Sequence, residues 1–192
     1  MATLDKNILP GLEYRPVTLD SLADLARFSE AHGKFRYCSC MRWRMSSSQY
    51  QRSSKAERVA ELENRVRQAK AVGVLAYLDG EPIGWCSIAP RESYAGLERY
   101  KALPRLDDQP VWSVVCFFVD SRVRRQGVTF GLLRAAVAYA QSQGAQIVEG
   151  YPVEPGERLY AYMGSPETFR KAGFADVTPA GQVRRVMRWS AA

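Results

Sequence analysis

The sequence predicts one α/β domain built on a mixed β-sheet, and three local patterns lead to this fold class. Val111–Val119 is a nearly continuous apolar run of strand-favouring residues, which is typical of a central strand buried on both faces. A helical pattern over Gly127–Gln143 and a strand pattern over Gln146–Val153 follow it, and this order forms a right-handed parallel crossover. Asp79-Gly80 between two apolar runs predicts an antiparallel hairpin, because a type I′ turn needs positive φ at both central residues.

The remaining elements follow from local signals along the chain. Leu12–Val17 alternates as a strand does, and Leu19–Ala31 carries apolar residues at helical spacing. Ser54 and Glu57 form the S-x-x-E capping box that opens another helix. Ser165-Pro166 begins a short helix, with Ser as N-cap and Pro at the first helical position. The other predicted strands are Val72–Leu78 and Pro82–Ala89 around the hairpin turn, and Phe174–Val177 and Gln182–Trp189 in a terminal hairpin.

Two stretches do not fit a regular element. Phe35–Met45 mixes aromatic residues, cysteines and arginines without a clean period, and we leave it unassigned. Pro90–Pro110 is a long connection, and loops of that length in compact domains are usually functional or locally structured. No repeat or Pro/Ser-rich linker interrupts the chain, so we expect a single domain over residues 1–192, with about residues 1–11 as a flexible tail.

Composition restricts the class of protein and its partners. The 192 residues are 46% hydrophobic and 24% charged, which is ordinary for a globular protein with a real core. The net charge of +7 favours anionic partners such as phosphate-bearing cofactors or nucleic acid, and it is equally compatible with a solubility charge that has no specific partner. The N-terminus does not resemble a signal peptide, and no stretch approaches the roughly 20 apolar residues that span a membrane. We therefore expect a cytoplasmic protein without a membrane partner.

The cysteines and the histidine do not form a metal motif. Cys38 and Cys40 are a C-x-C pair, whereas zinc knuckles use C-x2-4-C spacing. The single histidine, His32, is not at ligand spacing, and Cys86 and Cys116 lie in apolar strand-like runs. We therefore expect free thiols in a reducing compartment and no metal site.

The most informative segment is Val119–Thr129, which lies between a buried strand and a helix. A tight loop at this place directs several backbone N–H groups and the positive end of the helix at one spot, which makes an anion site. Gly127 permits close backbone approach to a phosphate, and Arg124 and Arg125 add charge-assisted donors. Taken alone, the same residues also fit a plain strand-to-helix turn with two solvated arginines, because a single glycine is weak evidence.

This segment resembles the acyl-CoA motif of the GNAT superfamily of N-acetyltransferases, R/Q-x-x-G-x-G/A. Arg124 matches its first position and Gly127 its fourth, while Thr129 stands where Gly or Ala is usual. Phe169–Phe174 is similar to the superfamily's Y-x-x-x-G-F near the C-terminus, and the order of elements matches over most of the chain. The resemblance implies a mostly antiparallel twisted sheet with a central parallel pair of strands, Val111–Val119 and Gln146–Val153, that splay apart.

The resemblance also implies acetyl-CoA, or another short acyl-CoA, as co-substrate. Its pantetheine is expected in the splay, paired with the backbone at the end of the fourth strand. The cofactor-binding residues implied in this way are Phe117, Phe118, Val119, Arg124, Arg125, Gln126, Gly127, Val128, Thr129, Ser165 and Phe169.

The usual acid–base residues of the superfamily are missing. Its members often carry a glutamate on the fourth strand, where Trp112–Cys116 has none, and a tyrosine where this chain has Phe169. Glu149 is a candidate base, because a carboxylate in an apolar strand is unexpected unless it faces a cavity; the alternative is a partner for a buried arginine. Tyr162 is a candidate donor to the leaving thiolate, and the alternative is aromatic packing.

Three functions from different classes remain open at this point. The leading hypothesis is an N-acetyltransferase that acts on a primary amine of a small molecule or peptide, by direct attack in a ternary complex. A non-catalytic acyl-CoA sensor is suggested by Phe169 and by the missing fourth-strand glutamate. A nucleic-acid-binding protein, suggested by the arginines and aromatics of Phe35–Arg52, ranks last because no recognised motif is present. The acceptor and the oligomeric state, including a homodimer, stay undetermined.

Overall fold

The computed structural model of the chain describes residues 9–32, 38 and 40–191. Most of the predicted N-terminal tail, and residues 35–37 and 39 of the unassigned stretch, lie outside the described residues. In the described part, the strands form one seven-stranded sheet in the order β1-β2-β3-β4-β5-β7-β6. The strands are β1 Leu12–Pro16, β2 Val74–Leu78, β3 Glu81–Pro90, β4 Trp112–Val119, β5 Ile147–Gly150, β6 Ala175–Asp176 and β7 Met187–Ser190.

The helices cover the sheet on both faces. Short 3-10 turns follow β3 and β4 and precede the last helix, over Arg91–Ser93, Ser121–Val123 and Ala161–Met163. The α-helices of the described residues are α1 Leu22–Ala31, α2 Ser47–Arg52, α3 Lys55–Arg67, α4 Ala95–Glu98, α5 Val128–Ser142 and α6 Pro166–Lys171.

The predicted local signals are found in the structure. Asp79 and Gly80 both have positive φ, 49° and 81°, as the hairpin turn between β2 and β3 requires. Ser54 caps α3 with both hydrogen bonds of the capping box to Glu57. Ser165 caps α6, where Pro166 takes the first position. These features depend on neighbours in sequence only, which is why the sequence predicts them correctly.

The alternation of side chains along β2 explains the two-sided core. Val74 and Ala76 face α5, together with Leu132 and Ala136 of that helix. Leu75 and Tyr77 face the other way and pack in a second apolar cluster with residues of α1 and α3. Because both faces of the central strands are covered, these strands are mostly apolar, as the sequence suggested.

The central parallel pair of strands is short, and beyond its last paired residues the two strands separate. β4 and β5 are parallel only over Trp112–Val114 with Val148–Gly150, while the other strand pairs are antiparallel. The predicted strand Gln146–Val153 thus ends at Gly150, and the N–H of Val153 donates to the carbonyl of Gly164 instead of to a strand. The fold class is confirmed: a mixed, mostly antiparallel sheet with a splayed parallel pair and flanking helices.

We predict that Gly150→Ala destabilises the protein because the end of β5 is closed by the ring of Phe169. A Cβ at Gly150 would lie 2.0 Å from Cε1 of Phe169, although the backbone at Gly150 is not in the left-handed region. Overpacking of this kind lowers the free energy of unfolding by about 1–3 kcal/mol. Urea unfolding measures it. The double variant Gly150→Ala/Phe169→Leu should recover part of the loss, and strictly additive losses would contradict this steric explanation.

Candidate active site

A cavity of about 950 Å³ occupies the space where β4 and β5 diverge. One wall is the end of β4, from Val115 to Val119, and the opposite wall is the segment 153–158 that leaves β5. Among the described residues, no strand pairs with Val115–Val119 on the β5 side. The open edge of β4 therefore offers backbone N–H and C=O groups to a molecule in the cavity.

The loop before α5 forms one end of this cavity. Arg125 and Gly127 both adopt left-handed conformations, with φ of 63° and 78°, so the chain turns sharply into the helix. Gly127 is the N-cap and no side chain caps α5, which leaves the first-turn N–H groups for another acceptor. Arg124, Arg125 and Thr129 line the same end. Uncapped N–H groups, the helix dipole and two arginines together make an anion site.

Asp120 fixes the start of this loop. Its Oδ1 accepts from the N–H of Arg122 at 2.9 Å, and its Oδ2 accepts from the Arg122 guanidinium at 2.6 Å. Nε2 of His32 lies 3.3 Å from Oδ2. These contacts, led by the Arg122 hydrogen bond, hold the pKa of the Asp120 carboxyl well below its ordinary value. This role of His32 is not visible in the sequence, since its partner lies 88 residues further along the chain.

The other end of the cavity is aromatic and comes from the stretch that the sequence left unassigned. Cys40 and Trp43 line it, as does Tyr50 at α2. The guanidinium of Arg42 lies over the rings of Trp43 and Tyr50, at 5.5 and 5.8 Å from their centroids. In the sequence, this stretch differs from its surroundings by its many aromatic residues and arginines without a helical or strand period. Such a composition is typical of an irregular segment that lines a site.

Tyr162 is brought to the cavity. Its ring is 37% exposed and lies edge-on to Tyr160, with centroids 6.1 Å apart. Burial raises the pKa of the Tyr162 phenol, so the group keeps its proton at neutral pH. The neighbouring Tyr160 does not line the cavity; its hydroxyl accepts a hydrogen bond from Tyr100 at 3.3 Å.

Glu149 is not brought to the cavity. Its carboxylate is 1% exposed and accepts from Arg91 Nη1 at 3.2 Å, from the Tyr151 hydroxyl at 2.8 Å and from Arg188 Nε at 2.7 Å. Arg188 also donates to Asp107. This placement fits the alternative that the sequence left open, a partner for a buried arginine, and does not fit a group in contact with substrate.

Most of the predicted cofactor-binding residues do line the cavity. Phe169 is fully buried, with its ring 6.1 Å from that of Phe117, so it supports a wall that Phe117 itself forms. Gln126 lies in the loop without lining the cavity. The predicted residues that line it are Phe117, Phe118, Val119, Arg124, Arg125, Gly127, Val128, Thr129 and Ser165.

A mixed sheet that splays beside an uncapped helix N-terminus, with arginines at that terminus, defines a class of enzymes that hold phosphate-bearing cofactors in the splay. Residues 37–164, or 128 of the 192, match the model of the acetyltransferase (GNAT) family. The chain belongs to this family. The resemblance found in the sequence is thereby confirmed. A comparison with curated proteins finds no match.

Solved structures share the fold at low sequence identity. The PaiA N-acetyltransferase of Thermoplasma acidophilum, in complex with coenzyme A, is 14% identical over 94% of this chain and 99% of its own, with a TM-score of 0.54. YncA of Salmonella typhimurium, with its cofactor acetyl-CoA, is 15% identical over 94% of each chain, with a TM-score of 0.55. The aminoglycoside 6'-N-acetyltransferase of Acinetobacter haemolyticus is 18% identical over 88% and 94%, with a TM-score of 0.52.

Two further properties concern only the residues that the structure describes. No helix among them is both long enough and apolar enough to cross a membrane. Within the same ranges, no three His, Cys, Asp or Glu side chains are grouped as metal ligands would be.

We predict that Glu149→Ala lowers the free energy of unfolding by about 1–3 kcal/mol, because buried donors of Arg91 and Tyr151 lose their acceptor, although Arg91 keeps its ion pair with Glu98. Denaturant unfolding at pH 7 measures the loss, and the exposed Glu81→Ala variant at the start of β3 is the control. Folded Glu149→Ala protein should keep acetyl-CoA affinity. Unchanged stability together with a turnover lowered by about 10²-fold would show that Glu149 is the catalytic base after all.

Proposed function

We propose that this acetyltransferase transfers the acetyl group of acetyl-CoA to a primary amine of a small molecule or peptide, by direct attack in a ternary complex. The observation that carries the proposal is one continuous cavity, which joins the anion loop Arg124–Thr129 to the aromatic end around Trp43 along the open edge of β4. YncA and PaiA, which share the fold, were solved with acetyl-CoA and coenzyme A, and this supports the choice of co-substrate.

The residues present fit an acyl-CoA. The first-turn N–H groups of α5 and the guanidinium groups of Arg124 and Arg125 would hold the pyrophosphate, since they gather positive charge at an uncapped helix end. The unpaired edge at Phe117–Val119 would take the amide groups of pantetheine. Acetyl-CoA, when bound, supplies the activated thioester carbonyl that the amine attacks.

The aromatic end of the cavity would receive the amine. An amine with a pKa of ~10.4 is mostly protonated at pH 7, and deprotonation costs roughly 4–5 kcal/mol. Holding two reactants in register contributes about 7–11 kcal/mol, so orientation by Trp43 and Tyr50 outweighs that cost. The carboxylates that line the cavity are Glu154, which is paired with Arg185, and Glu157; both belong to the segment 153–158 and neither to the stretch that carries Cys40, Trp43 and Tyr50. We therefore assign removal of the amine proton to water in the cavity.

Tyr162 would protonate the leaving thiolate. It lines the cavity and retains its proton at neutral pH, because burial raises the pKa of its phenol. Phe169, which stands at the place of the superfamily's tyrosine, carries no proton and is buried behind Phe117. In this proposal the acid lies on the 3-10 turn that precedes α6, and not on α6 itself.

We predict that Gly127→Glu weakens acetyl-CoA binding by at least tenfold, because it places a negative charge in the anion loop. Gly144→Glu is the matched control: it lies just past the other end of α5, also in a left-handed conformation, with nothing within 4 Å of the added Cβ. Calorimetric titration measures both affinities. Equal affinities in the two variants would overturn the assignment of the loop.

We predict that Tyr162→Phe lowers turnover by about 10²-fold with acetyl-CoA affinity little changed, since only the proton donor is lost. Tyr160→Phe is the control, because its hydroxyl bonds Tyr100 and does not line the cavity. Turnover is followed as release of the free CoA thiol, with the best acceptor from an amine library. Similar turnover in both variants would exclude Tyr162 as the acid. Acetyl-CoA binding without thiol release for any amine would instead favour an acyl-CoA sensor.

A further inference from the structure

A second pocket, of about 530 Å³, lies at α2 and α3 and shares no lining residue with the cavity of the acyl-CoA site. Three of its lining side chains are arginines: Arg44, Arg52 and Arg65. The family function does not account for this group of charges. What distinguishes this pocket is that Arg44 is buried and has side-chain nitrogens without a hydrogen-bond partner.

Arg44 is a buried cation without a counter-charge. Arg44 is only 3% exposed. Its Nη2 donates to the carbonyl of Val72 at 2.7 Å, and also to the hydroxyl groups of Ser87 and Tyr94. Its Nε and Nη1 have no hydrogen-bond partner, and no carboxylate of the described residues lies within ion-pair distance. Burial of an uncompensated charge is strongly unfavourable, so a nearby anion would relieve it.

The acidic side chains at this pocket are already engaged. Glu57 accepts from the N–H of Ser54 in the capping box of α3. Glu61 lies 3.0 Å from Nε of Arg65, one turn further along the same helix. Burial, and then the nearby charge of Arg44, lower the pKa of the Arg65 guanidinium. The pocket therefore has an excess of positive charge that its own carboxylates do not neutralise.

We propose that this pocket binds a small oxyanion, a phosphate or a carboxylate group, between Arg65 and Arg52. Arg65 and the exposed Arg52 supply the contacting guanidinium groups, which suit planar and tetrahedral oxyanions. Arg44 supplies a fixed charge behind them, because its unpaired nitrogens are sealed from solvent. Interactions with a buried charge are weakly screened, so its effect on the pocket is large.

The site is independent of the acyl-CoA cavity but lies beside it. Trp43 lines the aromatic end of that cavity, while the next residue, Arg44, lines the oxyanion pocket. The backbone of the 40–45 segment thus separates the two spaces.

The test is titration of the full chain with inorganic phosphate, and separately with succinate, at constant ionic strength balanced with chloride. Arg65→Gln should weaken binding by about tenfold or more, the value expected for one hydrogen-bonded charge. Arg67→Gln is the matched control, on the same helix, exposed and outside the pocket, and it should bind as the wild type does. Arg65-dependent binding of phosphate alone identifies a phosphate site, and Arg65-dependent binding of succinate identifies a carboxylate site.

Two further variants separate this site from the acyl-CoA loop. Gly127→Glu protein should show the same Arg65 dependence, whatever happens to acetyl-CoA affinity. Arg44→Met should weaken anion binding, because the fixed charge behind the pocket is removed, and should leave acetyl-CoA affinity unchanged. The proposal is overturned if neither anion binds saturably, or if Arg65→Gln and Arg67→Gln bind both anions equally.

Discussion

Three residue pairs hold the two parts of the sheet together, and the function depends on their being so few. β4 meets β5 only at Trp112–Val114, opposite Val148–Gly150. With a longer ladder the edge of β4 would be paired and the cavity filled by a strand. With no ladder, the strands β5, β6 and β7 would share no backbone hydrogen bonds with the strands β1–β4. A short ladder leaves the edge of β4 open and still connects the two parts of the sheet. Because so few backbone hydrogen bonds cross it, side chains must stabilise this connection.

The buried charges around Glu149 supply that strength. Ser113 on β4 lies 2.8 Å from the Tyr151 hydroxyl, which donates to Glu149 on β5. Arg91 reaches Glu149 from the end of β3, and Arg188 reaches it from β7. Four strands therefore share one hydrogen-bonded network at the point where the ladder stops. Such a network is directional, unlike apolar packing, and it makes the structure rigid at the point where the strands diverge.

The sequence predicts what depends on neighbouring residues. The hairpin at Asp79-Gly80, the capping box at Ser54 and the helix start at Ser165 follow from local rules and are confirmed. The sequence does not predict which distant groups meet. Arg91 is 58 residues from Glu149, and Arg188 is 39 residues away on the other side, so a carboxylate in an apolar strand is equally compatible with a catalytic or a paired group.

The same limit applies to the candidate site. The anion loop is contiguous, so Arg124 and Gly127 could be identified together, with the family motif as a guide. The aromatic end combines residues of the 40–50 stretch with the end of β4, and neither part has a periodicity that indicates the other. Phe169 shows a further limit: its place in the motif suggested a pocket wall, and only the packing shows that Phe117 stands between it and the cavity.

The two ends of the cavity are built on different kinds of structure, and this difference determines which end can change more easily during evolution. One end rests on β4 and α5, whose side chains form the main core, so substitutions there disturb folding. The other end rests on Arg42 and Trp43, in a turn that takes no part in the sheet. Irregular segments tolerate exchange and insertion far better than core strands. Under the proposed function, a new acceptor preference therefore requires changes in this irregular segment only, while β4 and α5 stay as they are.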